Sequence, residues 1–206
     1  GATFLGGPMY AAVGKARMLP ADERKKEWEL AVKNLHKVCK MAASRDLLIA
    51  LEPLNRFESD LVNTAEDVVR LIDDINHPAA QIMLDAFHMN IEEKNIEKAI
   101  ECAGERLIHL QVAENYRGTP GTGQTNWASY RKGLEKIKYE ATIPKESFTT
   151  DNVELAGAVC FWNAKAESQD AFATEGLQFL KGWASDKKKQ SQNGKLKPLF
   201  NNGKKN

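Results

Sequence analysis

The stretch Leu47-Leu48-Ile49-Ala50-Leu51-Glu52-Pro53-Leu54-Asn55-Arg56-Phe57-Glu58 sets the fold class of this chain. An apolar run of strand length passes directly into a carboxylate, a proline and a second carboxylate, so a buried strand is expected to end on charge. The same pattern recurs in Gln81-Ile82-Met83-Leu84-Asp85, in Leu107-Ile108-His109-Leu110-Gln111 and, more weakly, in the run reaching Glu146. Taken alone, each acid simply starts the following loop. Four successive strands ending on polar groups instead point to a site at the carboxyl ends of a parallel sheet, where α/β architectures bind ligands.

The segments between these runs read as helices. Asp22 to Ser44 carries apolar positions Trp28, Ala31, Leu35, Val38 and Met41 at helical spacing. Thr64-Ala65-Glu66-Asp67 resembles a capped start for the stripe Val68, Leu71, Ile72 and Ile75, which Asn76-His77-Pro78 ends. Further helices are expected over residues 95–103, 126–138 and about 170–184, and strands over about 106–113 and 141–146. Ala2 to Pro8 reads as a strand end breaking into a loop. Alternation at this spacing implies about five βα units around a parallel sheet. A closed (β/α)8 TIM barrel typically takes about 250 residues, so an α/β chain of this kind reads as a barrel about three units short at its N-terminus.

Bulk composition excludes several classes of partner. The 206 residues carry a net charge of +1 and 42% hydrophobic content, giving no electrostatic bias toward nucleic acid or acidic membranes. One domain is expected over residues 1–184, followed by a polar, basic, glycine-punctuated tail over 185–206 that reads as disordered. Cys39, Cys102 and Cys160 are odd in number and set in helix-like or apolar sequence, so they read as reduced core thiols, which favours the cytoplasm. No apolar run approaches a membrane span and no leader pattern opens the chain, so neither insertion nor export is expected.

Period-two alternation sorts the strand residues by face. Ala50 and Glu52, Met83 and Asp85, and Leu107, His109 and Gln111 are expected to share the inner face. Ile49, Leu51, Ile82, Leu84, Ile108 and Leu110 are then expected to pack on the helices. Carboxylate, amide and imidazole groups converging on one face suit a hard divalent cation.

The motifs Glu52-Pro-Leu-Asn-Arg-Phe-Glu58, Leu84-Asp-Ala-Phe-His-Met-Asn90, Glu114-Asn-Tyr-Arg117-Gly-Thr-Pro-Gly-Thr-Gly123 and Glu146-Ser-Phe148 together resemble the sugar phosphate isomerase/epimerase family. Within it the ketose 3-epimerases are most similar, over residues 1 to about 183. Gly6-Gly-Pro-Met-Tyr10 is similar to the loop after the fourth strand of those barrels. The resemblance implies a divalent metal (manganese, cobalt or magnesium) held by Glu52, Asp85, a histidine and Glu146. It also implies proton transfer at C3 of a ketose by Glu52 and Glu146 through an enediolate. His88 and Arg117 would hold substrate oxygens, and Glu58 a terminal hydroxyl; the plain structural alternative for Arg117 is pairing with Glu114. A sugar is the expected small-molecule partner, and the family tendency and an open sheet edge point to a homo-oligomer.

Three features depart from the family pattern. Gln111 stands where the metal histidine is expected, and His109, one inward step earlier, reads as a core or supporting group. Pro144 and Lys145 interrupt the strand leading to Glu146. The residues of this chain supply none of the N-terminal units that would complete the pocket wall, so the site they form is expected to be open to water. These departures leave a non-catalytic remnant that binds a sugar or partner as an alternative to an active isomerase. An endonuclease IV-like hydrolase is a third reading, opposed by the presence of only four histidines. Related isomerase or dehydratase chemistry on another small substrate would use a similar constellation.

Overall fold

The computed structural model describes residues 1–185. Four parallel strands, β1 (Phe4–Gly7), β2 (Leu48–Leu51), β3 (Ala80–Asp85) and β4 (Leu107–Gln111), lie in sequence order, β1-β2-β3-β4. Helices connect them: α1 (Ala21–Ala43) follows β1, α2 (Ala65–Ile75) follows β2, and α3 (Ala86–Glu92) and α4 (Ile96–Ala103) follow β3. After β4 come α5 (Trp127–Lys136), α6 (Val153–Ala158) and α7 (Gln169–Ser185). The expected domain boundary at residue 184 lies beside the limit of the described residues, and the expected tail lies outside them.

Local chemistry explains where the helices begin. Thr64 and Asp67 form the reciprocal capping box expected for α2: Thr64 Oγ1 accepts from Asp67 N at 3.1 Å and Asp67 Oδ2 accepts from Thr64 N at 3.2 Å. Asn76 closes that helix in the left-handed conformation, φ 48°. Asn95 and Asn126 cap α4 and α5 through their side-chain oxygens. The α1 seam differs from the expected stripe in one place. Ala31, Leu35, Cys39 and Ala42 are buried and Met41 is 61% exposed, because steps of four, four and three residues keep one face of a 3.6-residue helix turned inward.

The core lies between sheet and helices. Ile49, Leu51, Ile82, Leu84 and Leu110 join Val68, Leu71, Ile72 and Ile75 of α2 and Ile100 of α4 in one buried cluster. Gly133 lets α5 approach α4 closely, since a Cβ there would stand 2.9 Å from Ile100 Cβ.

Two strand expectations are corrected. Between Ile82↔Leu107 and Met83↔His109 the β3–β4 register shifts by one residue, so Ile108 is extra. This bulge turns Leu107 toward the helices, where it is 4% exposed within the core cluster, and leaves Ile108 outside it. The expected strand over 141–146 is a single parallel bridge, Val112↔Lys145. Pro144 has no N–H, so the contact consists of Val112 N donating to Pro144 O at 2.9 Å and Glu146 N donating to Val112 O at 3.1 Å.

The cysteines divide: Cys39 is buried, whereas Cys102 and Cys160 are exposed, and all three are free. Cys102 and Cys160 therefore do not belong to the core as their neighbours suggested. Among the described residues no helix is long and apolar enough to cross a membrane. The outer edge of β1 has no strand partner among the described residues.

Candidate active site

Parallel pairing brings the polar strand ends to one side. Glu52 follows β2, Asp85 ends β3, Gln111 ends β4, and Glu146 follows the bridge beside Val112. Asp85 and Gln111 are direct cross-strand partners. Glu52 is 6% exposed and Asp85 1% exposed.

Asp85 has two tasks. Its Oδ1 accepts from Phe87 N at 2.7 Å and His88 N at 3.3 Å, capping α3, a helix not expected from the sequence. Its Oδ2 is buried with no hydrogen-bond partner, as is Gln111 Oε1. Gln111 Nε2 donates to Glu146 Oε1 at 3.1 Å, and Arg117 Nη2 donates to Glu146 Oε2 at 3.0 Å.

The electrostatics follow from burying like charges together. Burial, then the neighbouring Asp85 and Glu146, pushes the Glu52 carboxyl well above the usual carboxylate range. Burial and then Glu146 push Asp85 up to about 7, against a smaller opposing pull from Arg117. Burial, followed by Arg117, lowers His88 to about 3, so its ring is neutral near pH 7.

Buried acceptor oxygens without donors, set among carboxyls that resist ionisation, describe a place lacking positive charge. Three carboxylates and an amide oxygen fit a hard, oxygen-preferring divalent cation. Among the described residues no three His, Cys, Asp or Glu groups already form a tight metal cluster. Glu146 is instead held by Gln111 and Arg117.

Arg117 sits on the loop between β4 and α5 in the left-handed conformation, φ 63°. Its guanidinium lies between two aromatic rings, 4.5 Å from the Phe87 centroid and 4.6 Å from that of Phe148, and Nη1 is 4.0 Å from Glu58 Oε1. The expected alternative, a pair with Glu114, does not form. Glu114, fully buried, takes Asn115 N (3.2 Å) and Thr125 N (2.6 Å) on Oε1, and Gly121 N (2.7 Å) and Trp127 Nε1 (3.2 Å) on Oε2. Burial raises its carboxyl, but the hydrogen bonds from Thr125, Gly121 and Asn115 outweigh this and hold it below the usual range. Gly121, at φ 88°, makes the turn that aims its N–H at Glu114. Glu114 is thus the anchor of the loop bearing Arg117. Glu114→Gln is expected to cost about 2–4 kcal/mol in urea unfolding, because an amide accepts on one atom only and leaves buried donors unpaired.

His109 lies beside Met83 across the sheet and against the Phe4 ring, with centroids 5.1 Å apart, so Gln111 rather than His109 is the group next to Asp85. Asn55, Phe87, Phe148 and Glu114 were not singled out as site residues by the sequence reading. All four lie inside the motifs quoted above, Asn55 midway between Glu52 and Glu58 and Phe87 next to His88, and that placement is the signal that finds them.

A parallel sheet backed by helices, with polar groups gathered at the carboxyl ends of β2, β3 and β4, is an α/β architecture with its candidate site at the strand ends. A family model described as Xylose isomerase-like TIM barrel matches residues 2–182, and the chain belongs to that family. The L-ribulose 3-epimerase of Methylomonas sp. (strain DH-1) is 33% identical over 183 residues, 88% of this chain and 63% of the relative. A probable ketose 3-epimerase of Synechocystis sp. is 38% identical over 136 residues, 66% of this chain and 47% of that protein. The crystal structure of D-allulose 3-epimerase from Methylomonas sp. in complex with D-allulose has a TM-score of 0.81 at 32% identity, covering 87% of this chain and 62% of that one. The chain thus spans less than two thirds of the length of these relatives.

Proposed function

We propose that this chain carries the catalytic face of a metal-dependent ketose epimerase of the isomerase class. The observation that carries the reading is the paired Asp85 and Gln111, whose buried Oδ2 and Oε1 lack donors between the carboxyls of Glu52 and Glu146. The names of the relatives, ketose and ribulose 3-epimerases, support the substrate class.

Glu52, Asp85, Gln111 and Glu146 would hold the ion, with manganese, cobalt or magnesium as candidates for an oxygen donor set. A divalent cation bound there supplies Lewis-acid polarisation of the ketose carbonyl and adjacent hydroxyl. The side chains do the rest. One of Glu52 and Glu146 removes the proton at C3 to give an enediolate, the other returns a proton to the opposite face, and the stereocentre inverts. His88, neutral and buried, and Arg117, clamped between Phe87 and Phe148, donate to substrate oxygens. Glu58, half-buried beside Asn55 and Arg117, accepts from a terminal hydroxyl.

Calorimetric titration with Mn2+, followed by C3 proton exchange of D-allulose in deuterated water, tests this. Absence of metal uptake sinks the reading. Uptake without exchange favours the second one, a sugar-binding remnant, which draws on the engagement of Glu146 by Gln111 and Arg117. The hydrolase alternative is disfavoured because His36 and His77 pack against each other, 5.7 Å between centroids, near the amino end of β3 and away from the carboxylates.

Gln111→His is expected to tighten Mn2+ binding. Loss of a group that merely supports a ligand costs about 10- to 100-fold in affinity, so exchanging a neutral amide for imidazole should gain about tenfold or more. Unchanged affinity would place Gln111 outside the ligand set.

A further inference from the structure

We propose that Asn55 is a positioning residue that locks His88 in the tautomer carrying its hydrogen on Nε2, so that His88 faces the site as a hydrogen-bond donor. Asn55 is 2% exposed and His88 3% exposed, so the ring has little access to water as a substitute partner.

The backbone N–H of Asn55 lies 3.1 Å from His88 Nδ1. An N–H can only donate, so Nδ1 is the acceptor and the hydrogen of a neutral ring resides on Nε2. Asn55 Nδ2 lies 2.9 Å from the same Nδ1 and donates to Glu58 Oε1 at 2.8 Å. Asn55 Oδ1 accepts from Phe57 N at 3.0 Å. These three bonds settle the orientation of the amide. Turning it over would set Oδ1 against an imidazole acceptor and a carboxylate, and an NH2 group against a backbone N–H.

Nδ1 is thereby covered twice, and Nε2 lies 4.0 Å from Glu52 Oε1. With its only lone pair engaged away from the site, His88 can give a hydrogen bond to an oxygen but cannot take a proton from carbon. The same amide holds Glu58, so one side chain aligns a donor and an acceptor on two elements, the loop after β2 and helix α3. The tautomer is independent of the substrate; only its kinetic consequence rests on the epimerase reading.

The test is long-range 1H–15N correlation on the full chain, labelled with 15N-histidine, free of metal at neutral pH. The chain has four histidines, and the His88 signals are identified by their loss in His88→Gln. Expected is one tautomer, with Nδ1 at the unprotonated, pyridine-like position and Nε2 at the pyrrole-like one. The reverse pattern overturns the proposal. Asn55→Asp replaces the amide donor with an acceptor and is expected to move the hydrogen toward Nδ1, with ketose turnover falling about tenfold or more. Should that variant fail to fold, Asn55→Ala, which removes one of the two donors on Nδ1 and keeps the backbone one, is expected to let a detectable minority of the Nδ1–H tautomer appear. An unchanged single tautomer in either folded variant assigns the lock to the backbone N–H alone and overturns the role of the side chain. If the epimerase reading itself fails, no variant turns over a ketose, but the tautomer pattern still answers for Asn55.

Discussion

Glu52→Gln is expected to stabilise the metal-free chain while abolishing the proposed proton exchange at C3. Glu52 is 6% exposed, and burial together with Asp85 and Glu146 opposes its ionisation. Near pH 8 the wild-type chain must hold this charge beside two others or carry a bound proton, and either state costs free energy. Glutamine has nearly the same shape and no charge. Relief on the order of 1–2 kcal/mol corresponds to a rise of about 3–6 °C in melting temperature for a domain of this size. The same change removes a group assigned to proton transfer and to the ion, so exchange at C3 should fall by about 10²–10⁴-fold. Opposite effects on stability and activity mark a group retained for chemistry rather than packing. Two results contradict this: a variant that melts lower than wild type, or one that keeps turnover within tenfold.

The place of Glu52 at a buried strand end is legible in the sequence because the signal is local. A period-two apolar run names its own face, and a carboxylate continuing that face cannot face the helices. Asp85 at the end of β3 is legible in the same way, but its capping of α3 is not, since an acid ending a strand and an acid capping a helix look alike until α3 is seen. Glu114 and Arg117 show where local sequence stops being informative. A Glu114–Arg117 pair is the plain alternative from their proximity in sequence, yet three backbone N–H groups of one loop and the indole of Trp127 take up Glu114, and Arg117 pairs with Glu146. Backbone donors leave no trace in residue types. The Ile108 bulge was equally invisible, because register is a property of two strands and β4 alone alternates plausibly in either sense. Pro144 announces a disturbance, and the structure shows its extent: the strand contracts to one bridge, which is still enough to bring Glu146 beside Gln111.

The metal-free chain should lose stability as pH rises from about 6.5 to about 8, and a divalent cation should cancel that loss. Asp85 has an ordinary value of 3.8 and is pushed up to about 7 in the fold by burial, then by Glu146. Between those values the folded chain binds more protons than the unfolded one, so this contribution is full below the ordinary value and is lost as pH rises through about 7. Glu52 acts in the same direction. His88 opposes them, because its ordinary value of 6.5 is lowered to about 3, and unfolding takes up a proton between the two. Above about 6.5 His88 is neutral in both states, which leaves the acids to set the slope, at about 1.4 kcal/mol per pH unit for each proton by which the fold exceeds the unfolded chain. Removing the imidazole in His88→Gln should extend the decline to lower pH. Metal binding requires the ionised carboxylates, so it should release protons, measured by calorimetry in buffers of different ionisation enthalpy, and flatten the profile. Urea unfolding of chelator-treated protein across this range checks the slope. A profile that is level or rises with pH would mean that Asp85 and Glu52 are ionised without a cation, and the case for a missing positive charge at the carboxyl ends of β2 to β4 would fail.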